Sequence, residues 1–132
     1  MREVLDTRFL LEYHYSQDPD TRKNALKKMK ELTQNSSGII PTIVVLETIR
    51  FISQNEGKEK AGMVYLWLTS IGLKIENLTP SIAREAGILK STFQNVPTSD
   101  CIIAATAIKN QAKIISDDNH FDVIKGIKRS WL

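Results

Sequence analysis

Short apolar runs alternate along this chain with longer stretches in which apolar positions return every three or four residues, the pattern of strands followed by amphipathic helices. Glu3 to Leu5 reads as a first strand, and Thr7 to Tyr15 as a short helix and loop. From Thr21 to Leu32, residues Ala25, Leu26, Met29 and Leu32 form one helical stripe, while Lys23, Lys27, Lys28 and Lys30 fall elsewhere on the surface. Asp18-Pro19-Asp20 marks where this helix starts.

After the turn Asn35 to Gly38, Ile39-Ile40 makes a brief strand closed by Pro41. A helix with Thr42 near its cap carries Val44, Val45, Thr48, Ile49 and Ile52 to about Gln54, and Asn55 to Gly57 break it. A further helix covers about Lys58 to Ser70, with Met63, Val64, Leu66 and Trp67. Leu73 to Leu78 alternates as a strand, and Thr79-Pro80 starts a helix to about Phe93. Thr98 or Ser99 is placed to cap a helix from Asp100 to about Asn110. Lys113 to Ser116 is the next strand, followed by a turn at Phe121 to Ile124 and an edge strand at Ile127 to Arg129. Strands alternating with helices predict a parallel sheet covered by helices.

A chain of 132 residues fits one domain spanning 1–132, with no repeat or linker to divide it. Its 42% hydrophobic and 25% charged residues exclude disordered and collagen-like classes. The one cysteine, Cys101, reads as a buried thiol, and no Cys/His cluster has zinc-site spacing. Apolar runs such as Ile43 to Leu46 fall far short of the ~20 residues that cross a bilayer. With no signal-like segment at the amino terminus, the expectation is a cytoplasmic protein without a membrane partner. A net charge of +3 permits contact with a polyanion but does not identify one.

Four acids stand where distant segments converge in such a layout: Asp6 after the first strand, Glu47 within a helix, Asp100 at a helix start and Asp118 after a late strand. In an open α/β sheet the ligand crevice lies beyond the strand carboxyl ends. Each acid also has a plainer reading: Asp6 and Asp118 as helix caps, Asp100 at the positive end of its helix, and Glu47 paired with Arg50. Their conjunction favours chemistry. Glu47 sits among apolar neighbours from Ile43 to Ile49, where an isolated carboxylate is costly and calls for a cation. Several carboxylates in one crevice repel unless protons or hard divalent ions balance them.

The segments Val4-Leu5-Asp6-Thr7, Val45-Leu46-Glu47, Ser99 to Ala107 and Ile115 to Phe121 carry a resemblance to the PIN-domain family, in particular its compact VapC-like toxin branch. The Asp-x-x-Ile-x-Ala-x-Ala run from Asp100 and the Ser-x-Asp-x-x-Phe run from Ser116 are its most specific parts. The resemblance implies a three-layer α/β/α domain with a central, mainly parallel sheet. It further implies a ribonuclease that uses Mg²⁺ or Mn²⁺ to hydrolyse RNA, homodimers and, for a toxin, a small VapB-like antitoxin. By motif position Asp6, Glu47, Asp100 and Asp118 become catalytic metal-site residues, with Ser116 and Thr7 supporting them. Asp117 falls at a variable place and is a weaker ligand candidate.

Arg8, Arg50 and Lys90 are candidate phosphate contacts, and Tyr13 and Tyr15 candidate stacking residues, although surface and packing roles explain them as simply. His14 and His120 lack metal-ligand spacing and read as hydrogen-bonded surface or edge residues. The competing functions are an RNA maturation or decay nuclease and a non-enzymatic PIN-like interaction module. A haloacid-dehalogenase-like phosphatase would need a second acid two residues after Asp6, where Arg8 stands. A receiver domain would need an early acid pair, which this chain lacks.

Overall fold

The computed structural model describes residues 1–132. Its elements run β1 (Glu3–Leu5), α1 (Thr7–Tyr15), α2 (Pro19–Asn35), β2 (Gly38–Pro41), α3 (Thr42–Glu56), α4 (Lys58–Ser70), β3 (Lys74–Glu76), α5 (Pro80–Thr92), α6 (Thr98–Asn110), β4 (Lys113–Ile115), a 3₁₀ turn η1 (Asn119–Val123) and β5 (Arg129–Ser130). The five strands form one sheet in the order β3-β2-β1-β4-β5, every neighbouring pair parallel. This is the expected α/β architecture.

Two helices fill each of the long crossovers. Because parallel crossovers are right-handed, the β1-to-β2 and β2-to-β3 connections place α1 to α4 on one face of the sheet. The return from β3 to β4 runs the other way along the sheet and places α5 and α6 on the opposite face. The direction of winding therefore reverses between β1 and β4. Val4 and Leu5 of β1 lie beside Ile114 and Ile115 of β4, so the residues that follow both strands emerge side by side at the reversal point.

Local chemistry accounts for the element ends. Asp18 accepts from the Thr21 amide at 2.9 Å and opens α2, with Pro19 at a first-turn position that needs no amide donor. Thr79 accepts from the Ile82 amide at 3.2 Å and opens α5 in the same way. Several boundaries differ from expectation. Helix α2 begins at Pro19 and runs on to Asn35, and the edge strand is Arg129–Ser130 instead of Ile127 to Arg129. Neither Thr98 nor Ser99 caps α6, which starts at Thr98 directly after Pro97 with no side-chain cap. Thr42 does not cap α3; its hydroxyl accepts from the Leu78 amide instead, tying the β3 end to the α3 start.

The core lies on both sides of β1 and β4. Val4, Leu5, Ile114 and Ile115 are fully buried, and Phe9, Leu32, Ile52, Ile103 and Phe121 close over them from the surrounding elements. In α2, Ala25, Met29 and Leu32 are buried but Leu26 is exposed, so the apolar stripe is narrower than its periodicity suggests. In α4, Ala61, Val64 and Leu68 face inward, while Met63 and Leu66 face solvent.

Candidate metal centre

Asp6 is the residue after β1, and Ser116 is the residue after β4. Register alone makes them neighbours. The Ser116 hydroxyl donates to Asp6 Oδ2 at 2.5 Å, while Asp6 Oδ1 accepts from the Thr7 amide at 2.8 Å. Asp6 is thus both the cap of α1 and a member of the site, and the two readings of this residue are compatible. Ser116 Oγ also accepts from the Asp118 amide at 2.9 Å, which turns the chain back toward Asp6.

Glu47 enters from α3 and Asp100 from the first turn of α6. All four acids line one open cleft of about 210 Å³, together with Thr7, Arg8, Arg50 and Ser99. The cleft sits at the carboxyl ends of β1 and β4, where the winding reverses and where open α/β sheets hold their ligands. Glu47 is half-buried, since Leu46 beside it in sequence points to solvent. The apolar neighbours inferred from sequence therefore do not enclose it. Its partner is the Thr7 hydroxyl, which donates to Glu47 Oε1 at 3.1 Å. No Glu47–Arg50 ion pair forms; Arg50 instead reaches Gln54 at 3.5 Å.

Burial raises the Asp6 carboxyl from 3.8 to about 6; the Ser116 hydroxyl opposes this, and the charges of Asp100 and Asp118 add to it. Burial also raises Asp100, against the pull of His120. No lysine or arginine forms an ion pair with Asp6, Glu47, Asp100 or Asp118. Carboxylates left in mutual repulsion with no lysine or arginine paired to them, in an oxygen-rich cleft, fit a hard divalent cation.

The cations named from sequence part company. Arg8 lines the cleft but makes a bidentate pair with Asp117, both contacts at 3.0 Å. That pair holds the Asp117 carboxyl below the usual carboxylate range and keeps it outside the cleft lining. Lys90 is not in the cleft at all: its ammonium donates to the Gln94 and Val96 carbonyls, each at 2.8 Å, and secures the turn after α5. Tyr13 stacks on Trp67 with ring centroids 5.1 Å apart, and the Tyr15 hydroxyl bonds Glu56, so both serve packing. Only Arg50 lines the cleft without a carboxylate partner.

His120 was missed as a site residue. Its Nδ1 lies 3.0 Å from Asp118 Oδ1 and 3.2 Å from Asp100 Oδ2. The two-residue step from Asp118 to His120 is a strand spacing, but these residues follow β4 in a turn segment, and it is the tight turn of η1, capped by Asp118 on the His120 amide at 2.9 Å, that brings the two together.

The sequence model of the PIN domain matches residues 4–127. The chain belongs to the PIN-domain family. Its fold is shared with solved structures of low sequence identity. The structure of VapBC2 from Rickettsia felis bound to a promoter DNA fragment aligns with a TM-score of 0.79 at 19% identity, covering 100% of this chain and 99% of that one. DNA-bound VapBC from Salmonella typhimurium aligns at 0.81 and 18%, covering 99% and 98%. VapC20 of Mycobacterium tuberculosis, a sarcin-ricin loop cleaving toxin, aligns at 0.70 and 16%, covering 92% and 93%. No curated protein matches the sequence significantly. In this PIN domain the backbone ladder joins β1 to β4, and the Ser116 hydroxyl adds the side-chain link between Asp6 and the Asp118 turn.

Ser116→Ala tests that link. Losing the donor to a buried carboxylate is expected to cost about 1–2 kcal/mol of stability and to weaken divalent-ion binding about 10–100-fold. Urea denaturation and calorimetric titration of the metal-free protein measure the two effects.

Proposed function

We propose that this PIN domain is a divalent-metal-dependent endoribonuclease, the toxin of a toxin-antitoxin pair, acting in the cytoplasm as the single domain 1–132. The observation that carries the reading is the gathering of Asp6, Glu47, Asp100 and Asp118 into one cleft with no lysine or arginine paired to them. These four acids would hold Mg²⁺ or Mn²⁺. When bound, such a cation acidifies a water and neutralises charge on the scissile phosphodiester.

The chain's own residues supply position and field. Asp6 and Asp118 are fixed relative to one another through Ser116, and Glu47 is oriented by Thr7. All four carboxylates act as ligands and water-orienting groups, not as nucleophiles. Arg50 is the phosphate contact, because Arg8 is already committed to Asp117. With EDTA present to withhold the metal from cleavage, Arg50→Ala is expected to weaken RNA binding several-fold and to flatten its dependence on log[salt] by about 0.7, the value for one phosphate contact on a single strand. Arg8→Ala is expected to leave that slope unchanged. Fluorescence anisotropy across a salt series distinguishes them.

The VapBC neighbours motivate the partner assignment: a small VapB-like antitoxin and a second copy of this chain. Exposed Leu46 and Phe51 on α3, and Met63, Tyr65 and Leu66 on α4, provide apolar surface for such contacts. No helix is long and apolar enough to cross a membrane.

The deciding experiment is cleavage of a mixed RNA panel by purified protein with Mg²⁺, Mn²⁺ or EDTA. Cleavage that needs the metal supports the nuclease. Metal binding without cleavage of any RNA would reject it in favour of an interaction module. A short reading frame immediately upstream that encodes an inhibitor would separate the toxin from an RNA maturation or decay enzyme.

A further inference from the structure

His120 is the one nitrogen donor among the site's carboxylates, and nothing in the family resemblance gives it a role. Ligand atoms of Asp100, Asp118 and His120 lie within 4.8 Å of one another. The separations from Nδ1, 3.2 Å to Asp100 Oδ2 and 3.0 Å to Asp118 Oδ1, suit hydrogen bonds. They equally suit neighbouring ligands on one octahedral ion, which stand about 3.0 Å apart when bonds to the ion run about 2.1 Å.

Three features favour the second arrangement. Asp118 Oδ1 already accepts from the His120 amide, so the backbone alone keeps this carboxylate and residue 120 together. The buried Phe121 anchors the turn, so the imidazole is not needed to hold η1 in place. The His120 side chain is itself about half exposed, 48%, and thus contributes little packing. An imidazole kept between two carboxylates by the backbone, and dispensable to the fold, is positioned as a ligand.

We propose that His120 Nδ1 joins Asp100 and Asp118 as a ligand to the divalent cation, and that this nitrogen tilts the site toward Mn²⁺ over Mg²⁺. The inference rests on the metal reading of the cleft. Its chemistry is simple: Mg²⁺ favours oxygen ligands and retained water, whereas imidazole suits transition-metal ions. Coordination exchanges any proton on Nδ1 for the ion and leaves the ring neutral, with its other nitrogen protonated.

The test uses the full chain stripped of metal, titrated with MnCl₂ and with MgCl₂, as wild type, His120→Ala and His120→Asn. Asn keeps an N–H donor for the neighbouring carboxylates but can offer an ion only its carbonyl oxygen, so it removes the nitrogen ligand while keeping the hydrogen bonding. Mn²⁺ affinity is expected to fall about 10–100-fold in both variants, and Mg²⁺ affinity by less than about threefold. Electron spin-echo spectroscopy of the Mn²⁺-loaded wild type is expected to show ¹⁴N coupling that both variants lack. Equal losses for the two ions, a wild-type preference for Mn²⁺ over Mg²⁺ retained in His120→Asn, or no ¹⁴N coupling in the wild type would overturn the assignment while leaving the metal site intact. Failure of the wild type to bind either ion would overturn this inference and the nuclease reading together.

Discussion

Asp6→Asn is expected to lower metal-dependent RNA cleavage by about 10²–10³-fold, the range for removing one preorganised electrostatic group, while making the metal-free protein more stable. The two effects have one origin. The folded chain raises the Asp6 carboxyl from 3.8 to about 6 through burial and through the nearby Asp100 and Asp118, so its ionised form is carried at a cost that a bound cation would offset. A shift of that size corresponds to at most about 3 kcal/mol. Asn retains an acceptor for the Thr7 amide but holds Ser116 less well, so the net gain is expected at about 1–2 kcal/mol at pH 7.

The sign with pH follows from the same shift. Because the folded state keeps the Asp6 proton above the pH at which the unfolded chain loses it, the stability due to the protonated form is complete below about pH 4. It is lost as pH rises through about 6. The difference in Tm between Asp6→Asn and wild type, both metal-free, is therefore expected to open between pH 4 and 6 and to be absent at pH 4. Added Mg²⁺ or Mn²⁺ is expected to raise the wild-type Tm and close the gap. Thermal denaturation across pH, with and without metal, measures all of this. An Asp6→Asn protein that is less stable than wild type at pH 7 without metal would contradict the argument.

Phe121→Ala is the second large effect. Phe121 is fully buried in η1, one residue from His120 and three from Asp118. Truncating a buried Phe costs about 3–5 kcal/mol, which is a sizeable share of the roughly 5–15 kcal/mol that stabilises a domain. The cavity opens beneath the turn that carries Asp118, so cleavage per folded molecule is expected to fall as well. Urea denaturation read beside activity at low denaturant resolves the two losses. Val123→Ala, at an exposed position of the same turn, is expected to change stability by less than about 0.5 kcal/mol.

The alternation of strand and helix was legible because each period has its own physical cause, and the order β1 to β5 follows from it. Asp6 and Asp118 could be placed beyond strand ends for the same reason. What sequence could not supply was direction around a helix. Glu47 has apolar neighbours, yet on α3 they point to other sides, and the carboxylate opens into a polar cleft beside Thr7. Leu26, Met63 and Leu66 fit an apolar periodicity but fall on its solvent side. Cations were harder still, since a charge says nothing of its partner: Arg8 is held by Asp117, and Lys90 by two carbonyls. His120 joined the site through a 3₁₀ turn too short to leave a pattern.

The pairing of Leu5 with Ile115 has a bearing on how this protein can misfold. Were β4 to dock one position out of step, side chains would exchange faces, and Asp117 would arrive where Ser116 belongs, setting a carboxylate against Asp6 in place of a hydroxyl. Such a chain would be compact but repelled at its own junction. Recovery of the proposed nuclease activity after dilution from denaturant would thus double as a count of molecules whose strands docked in step.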